Sequence, residues 1–410
     1  MATAKRDLWT GVTLWNRQML RGIAVERLER DIAVDVLVIG AGISGAMVAE
    51  AVSDDGMSVA IVDRRGAAKG STSASTALVQ YEIDEPLTAL SRRIGEADAI
   101  RAWRRSFAAL QGLRARVREL ALVCDLDTRD SLYLAGDRLG PDALRREGFA
   151  RREAGIETVY LSRQDLKQRF GIRRAAALLG FGNLSLDPRR LTLGFLKAAS
   201  ESGARLYSPV SVTTVEPGAR RVLAATEAGP VIRCRHLIFA TGYELPSYVV
   251  AGHHQMISTY AMATAPQFRR LWPERCFIWE ASDPYLYMRT TADGRIIAGG
   301  EDEDFADEEK RDALLPRKIA RISRKISRLF PDVDARPAFA WAGTFGSTDT
   351  GLPTIGLIPG MKNCWAVLGY GGNGITYSRV AAEILRTQLR GDADPDADLF
   401  AFPKRRRGGK

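Results

Sequence analysis

Three features of the sequence predict an α/β fold of Rossmann type joined to an α+β part built on an antiparallel sheet. A strand, glycine turn, helix, strand and acid follow one another over residues 34–63. A second glycine-rich turn opens a helix after Gly369, and an Asp-Gly hairpin falls between residues 285 and 298.

The first element is an apolar, β-branched run, Val34, Val36, Leu37, Val38 and Ile39, of the kind buried in a parallel sheet. Gly40-Ala41-Gly42-Ile43-Ser44-Gly45 follows at once, then a helix-like stretch over 46–52, a turn at Asp55-Gly56 and a second apolar run over 58–62 ending in Asp63. A lone GxGxxG is a weak signal; inside a βαβ unit it predicts a dinucleotide site. Gly40 permits the tight turn, Gly42 lets a pyrophosphate approach the backbone, and Gly45 lets helix and strand pack closely. Asp63, 18 residues past Gly45, is placed to accept a hydrogen bond from a ribose hydroxyl. An acid there disfavours a 2′-phosphate, so NADP is the least expected dinucleotide.

Residues 83–152 are rich in Arg, Ala and Leu and read as mostly helical, with a strand near 131–135. Residues 187–201 read as a helix, 205–216 as strand-rich and 233–240 as a buried strand followed by Thr241-Gly242. Tyr285-Leu286-Tyr287-Met288-Arg289-Thr290, the turn Asp293-Gly294 and the run 295–298 form the hairpin. Period 2 puts Tyr285, Tyr287 and Arg289 on one face of its first strand. Leu315, Ile319, Ile322, Ile326 and Leu329 make a helical stripe; the acidic run from Glu301 to Glu309 reads as the solvated start of that helix, and the basic residues from Arg317 to Arg328 as its dipole-matched end. Gly369-Tyr370-Gly371-Gly372-Asn373-Gly374 then opens a helix over 375–389, and bare amides at a helix start form an anion site.

Composition sets the bounds. The 410 residues suffice for two or three domains at about 150 residues each. Hydrophobic residues at 46% and charged ones at 26% exclude a disordered chain. Of the net charge of +10, five positive charges sit at Lys404, Arg405, Arg406, Arg407 and Lys410, which reads as a solvated tail, so nucleic acid is not an expected partner. Cys124, Cys234, Cys276 and Cys364 are too scattered for a metal site or a disulfide framework. No apolar stretch approaches the roughly 18 residues of a membrane span, and the first 21 residues lack a continuous signal core, so the expected location is cytoplasmic.

In this order, Gly40 to Gly45, Asp63-Arg64, the hydroxyl-rich 70–76 segment, Ala240-Thr241-Gly242 and Gly369 to Gly374 resemble FAD-dependent oxidoreductases of the D-amino-acid oxidase superfamily. Within it the chain is most similar to the branch of glycine and sarcosine oxidases and gamma-glutamylputrescine oxidoreductases. The resemblance implies a glutathione-reductase-type, discontinuous FAD-binding domain over 34–85, 187–245 and 341–395. A substrate-binding domain would span 86–186 and 246–340, with an N-terminal extension over 1–33 and a basic tail over 396–410. It implies FAD contacts from Gly40, Gly42, Ile43, Ser44, Gly45, Asp63, Arg64, Ser71, Thr72, Val212, Ala240, Thr241, Gly242, Gly371, Gly372, Asn373, Gly374 and Ile375. For the Ser/Thr loop, an ordinary helix cap is the plain alternative.

The same resemblance makes Tyr287, Arg289, Trp341, Phe345 and Tyr370 the substrate-pocket candidates. It also exposes departures. The two arginines that clamp a substrate carboxylate in glycine oxidase-like members match Phe345 and Gly372, which favours an amine, or a substrate whose acid lies elsewhere, over a simple α-amino acid. The lysine that assists oxygen in sarcosine oxidases matches Ile297, leaving either O2 or another electron acceptor. The cysteine that tethers the flavin there matches Ala342, so non-covalent FAD is expected. The implied activity is oxidation of a C–N bond in an amine or amino/imino acid, by hydride transfer to the flavin and hydrolysis of the imine, without a metal or an acid–base triad. The alternative is an FAD-containing protein with a nucleic-acid-associated or non-amine redox role. His253 and His254 read as structural or exposed.

Overall fold

The computed structural model describes residues 3, 5–17, 23–246 and 254–402. His253 and Lys404 to Lys410 lie outside them. The first sheet is ordered Thr354–Leu357, Cys364–Leu368, Val231–Phe239, Ile32–Ile39, Val59–Val62, Arg205–Tyr207. The four pairings from Cys364–Leu368 onward are parallel. A hairpin of Val212–Glu216 and Val222–Thr226 joins it through Val231–Phe239. Ile32–Ile39 is central and buried on both faces, which is why it reads as a continuous apolar run: Val36 and Val38 pack with the helices Ile43–Ser53, Pro188–Glu201 and Gly374–Leu389, whereas Leu37 and Ile39 pack with Val212, Val222 and Ile232. The strand ends Gly40 and Ala240 stand side by side, and a methyl on Gly40 would overlap the Ala240 carbonyl. Ligands of open α/β sheets bind at such carboxyl ends.

The second sheet runs Trp9–Val12, Pro337–Thr348, His254–Thr264, Ile296–Glu303, Leu286–Thr290, Phe277–Glu280, Asp127–Leu134, Ala176–Ser185, Leu78–Val79. It is antiparallel except where Phe277–Glu280 meets Asp127–Leu134 in parallel. The Asp293-Gly294 hairpin forms, with Thr290 opposite Ile296. Pro337–Thr348 lies wholly in this sheet, pairing with His254–Thr264 along its length, so a boundary at residue 341 cuts a strand. The N-terminal segment is not a free extension either, because Trp9–Val12 pairs with Pro337–Thr348.

The acidic run is a correction. Glu301 to Glu303 end the strand Ile296–Glu303, and the helix starts only at Glu308, capped by the Asp307 carboxylate on the Lys310 amide. Glu301 is buried, not solvated. Lys325 reaches it at 2.7 Å, while Lys318 donates to its carbonyl at 2.7 Å and pairs with Glu303 at 2.6 Å. The opposite charges that look like dipole matching along one helix therefore tie that helix to the sheet. Ile319, Ile322, Ile326 and Leu329 supply the buried stripe, and Leu315 packs at its margin.

Candidate functional site

Between the carboxyl ends of the first sheet and one face of the second lies a cavity of about 270 Å³. Its wall contains all but one of the expected FAD-contact residues: Gly40, Gly42, Ile43, Ser44, Asp63, Arg64, Ser71, Thr72, Val212, Ala240, Thr241, Gly242, Gly371, Gly372, Asn373, Gly374 and Ile375. Gly45 is the exception. It stands where helix and strand cross, and a methyl there would overlap the Gly40 carbonyl oxygen.

At one end the helix Ile43–Ser53 points its N-terminus at the cavity, with Gly42 at the cap and no side chain of its own capping it. The Thr72 hydroxyl, from the 3-10 turn Ser71–Ala74, accepts from the Ile43 amide at 3.1 Å. The hydroxyl loop thus caps a neighbouring helix and lines the cavity at once. Asp63 accepts from the Ala41 amide at 2.8 Å, and from Arg65 and Gly66 at 2.7 and 2.8 Å, fixing the turn and its own carboxylate. Arg65 forms a two-pronged pair with Glu244 at 2.6 and 2.7 Å, and Arg64 lies beside the same acid.

The other end is walled by Tyr243, Tyr285, Tyr287, Phe345 and Tyr370, with Asp84 facing in beside Gly371 and Gly372. The Gly372 amide donates to Asp84 Oδ2 at 2.9 Å, at the start of the helix Gly374–Leu389. Asn373 donates to the Glu82 carbonyl at 2.8 Å and Thr376 to that of Gln80 at 2.7 Å, so this helix start is bound to the segment carrying Asp84. Tyr285 and Tyr287 stack at 5.8 Å. Behind them the Tyr285 hydroxyl donates to Asp302 Oδ2 at 2.7 Å. Burial pushes the phenols of Tyr243, Tyr285, Tyr287 and Tyr370 upward, which keeps them protonated donors.

Two substrate candidates do not reach the cavity wall. Arg289 spends its guanidinium on the carbonyls of Thr76 at 2.8 Å, Leu186 at 3.0 Å and Thr290 at 3.3 Å, and lies over the Trp15 ring. It pins the hydroxyl loop. Trp341 donates to the Ala74 carbonyl at 2.8 Å from within the core. Ile297 and Ala342 are likewise core residues outside the wall. Sequence reasoning missed Asp84, Asp302 and Tyr243. For Tyr285 the signal was present, since period 2 sets it on the face of Tyr287; Asp84 is separated from its amide partner by 288 residues and has no local pattern.

Asp302 carries a pH prediction. Burial, and secondarily the Asp84 charge, push its carboxyl up to about 6 against the pull of Thr259 and Tyr285. A raised carboxyl means the folded state holds the proton that the unfolded state has released. Stability from this group is therefore full below the unfolded value of 3.8 and is lost as pH rises to about 6. Melting temperatures of wild type and Asp302→Asn should differ by an amount that shifts against wild type over this window and is flat above it. A constant difference contradicts the assignment.

The wall also carries unmet polar atoms. Arg64 Nη1, Ser71 Oγ and Gln80 Nε2 are buried and lack hydrogen-bond partners among the described residues. A long ligand with polar atoms along its length fits this wall, as it fits a helix start whose glycine cap has no side chain. Among the described residues no helix is long and apolar enough to cross a membrane, and no group of three or more His, Cys, Asp or Glu side chains is placed to hold a metal.

Comparison with known proteins accords with this geometry. The chain is 22% identical over 391 residues to gamma-glutamylputrescine oxidoreductase of Escherichia coli (strain K12), covering 92% of this chain and 89% of that protein. The fold matches L-proline dehydrogenase from P. horikoshii with a TM-score of 0.75 at 17% identity, over 91% of this chain and 97% of that one. Glycine oxidase from Geobacillus kaustophilus gives 0.73 at 17% identity, over 92% and 100%. The family model for FAD dependent oxidoreductases (DAO) matches residues 35–388, and with that span, its glycine turn and its two-sheet cavity the chain belongs to this family of FAD-dependent enzymes.

Proposed function

We propose that the protein oxidises an amine at the carbon beside nitrogen, with FAD held non-covalently in the cavity as hydride acceptor. Bound FAD supplies the two-electron chemistry. The chain's own residues bind and orient. The helix start after Gly42 would hold the pyrophosphate, Asp63 the ribose, and Val212 the adenine. The helix start at Asn373, Gly374 and Ile375 would present its positive end to the bound ring and so favour the negative charge that reduction develops. No Cys or His appears in the described wall, which supports non-covalent attachment.

One observation carries the choice of an amine. Arg64 and Arg65 are the only cationic side chains in the described wall, and both are drawn to Glu244. The described wall around Phe345 and Gly372 holds no guanidinium or ammonium that could clamp a carboxylate. The relative from Escherichia coli carries an amine substrate in its name, which supports the same reading. Hydride transfer gives an imine, which water cleaves to a carbonyl compound and a shorter amine.

The test is product analysis on the purified holoenzyme with a panel of N-methylated alkylamines. The expected products are formaldehyde and the demethylated amine in equal amounts, with flavin reduction slowed severalfold by deuterium on the reacting carbon. Oxidation at nitrogen without C–N cleavage, or no isotope effect on reduction, would refute the reading.

A further inference from the structure

The reactive end of the cavity has a sign. Its carboxylate is Asp84, open to the cavity, among the rings of Tyr243, Tyr285, Tyr287, Phe345 and Tyr370 and the backbone of Gly371 and Gly372. Asp84 is held from one side only. Oδ2 accepts the Gly372 amide at 2.9 Å, whereas Oδ1 accepts from no donor among the described residues. Glycines at 371 and 372 make this seat possible, since a Cβ on either would stand 3.0–3.1 Å from the carboxylate oxygens. The carboxylate is therefore built into the turn that opens the helix Gly374–Leu389.

An acid with one oxygen spoken for and one facing a cavity wants a donor there. The surrounding rings select what kind. Tyr243, Tyr285, Tyr287 and Tyr370 line this end, and a desolvated cation packed on an aromatic face gains about 2 kcal/mol. A carboxylate in the same place meets Asp84 at short range and finds no guanidinium or ammonium.

Resting on the amine reading above, we propose that Asp84 is the specificity-determining residue of the site, and that the site takes an aliphatic amine or polyamine as its cation, with no carboxylate beside the reacting nitrogen. The ammonium lies against Asp84 Oδ1 within the aromatic wall. Its proton then passes to that oxygen: one N–H bond breaks, one O–H bond forms, and a neutral amine remains, which is the form from which hydride can leave. Burial pushes the Asp84 carboxyl up while the Gly372 amide pulls it down, so it accepts this proton more readily than a surface aspartate.

Binding can be read without turnover. Tetramethylammonium and acetate are titrated separately into the FAD holoenzyme while the visible flavin spectrum is recorded. In wild type, tetramethylammonium should perturb the spectrum saturably and acetate should do so at least tenfold more weakly. Asp84→Asn keeps an oxygen for the Gly372 amide, so it should hold FAD and melt within a few degrees of wild type, yet bind tetramethylammonium at least tenfold more weakly. Tighter binding of acetate by wild type, or unchanged tetramethylammonium affinity in a folded Asp84→Asn, overturns the proposal. Asp84-dependent cation binding in an enzyme that no amine reduces would uphold this site while removing the reaction proposed above.

Discussion

Gly45→Ala should yield protein that purifies without FAD and unfolds far below wild type. The added methyl would overlap the Gly40 carbonyl oxygen and press on Val38 Cγ1 at 3.4 Å. Neither can give way. Gly40 has φ +116 and is itself wedged against the Ala240 carbonyl, and Val38 is fully buried. Relief requires the helix Ile43–Ser53 to lift from the sheet, opening contacts made by Ala46, Met47, Ala49 and Val52, all buried. Overpacking of this kind costs on the order of 3 kcal/mol or more, a large share of a domain's stability. Gly42→Ala is the control. Its methyl meets only the Thr72 hydroxyl, at 3.3 Å, so the fold should survive while FAD affinity falls, because the methyl occupies the approach to the helix amides. Visible absorbance per protein and thermal unfolding read both. Equal FAD content in Gly45→Ala and wild type would contradict the packing argument.

Removing residues 1–17 should raise the rate of FAD loss by about tenfold or more, corresponding to roughly 1.4 kcal/mol for each tenfold step. This arm crosses both sheets at the cavity. Arg6 binds Glu244 through its amide at 2.8 Å and receives Arg65 on its carbonyl at 2.9 Å. Arg311, fully buried, donates to the Asp7 carbonyl at 2.7 Å. Trp15 donates to the Ser75 carbonyl at 2.6 Å and takes Arg189 on its own carbonyl at 2.8 Å. Thr3 and Leu8 face the cavity itself. Truncation therefore opens the wall, bares the edge of Pro337–Thr348 and leaves Arg311 short of an acceptor. Trp15→Ala, which keeps the rest of the arm, should show the same change to a smaller degree. Fluorescence of released FAD after dilution measures it, and unchanged release from both variants would contradict a retaining role.

How much of this was legible follows from the range of each interaction. The parallel strands and the glycine turn announce themselves because their constraints are local: a run buried on both faces is apolar throughout, and a helix crossing a strand at contact distance tolerates only glycine. The hydroxyl loop was legible as a polar feature, but that Thr72 caps another helix depends on a contact across 29 residues. Arg289 and Trp341 misled because their residue types suit a pocket, whereas their donors are consumed by carbonyls that the chain brings from Thr76, Leu186 and Ala74. The acidic run misled in the opposite sense. Charge order along one stretch looked like a dipole match, yet Glu301 turns inward from a strand end and meets Lys325 across a helix and sheet boundary. Asp84 is legible only once the fold sets it beside Gly372.

The most direct measurement is anaerobic mixing of the FAD holoenzyme with aliphatic amines and polyamines on one side and α-amino acids of matched size on the other, followed in the visible flavin spectrum. The proposed function predicts rapid bleaching by at least one amine and slow or no bleaching by the amino acids. Faster bleaching by the amino acids would contradict the account.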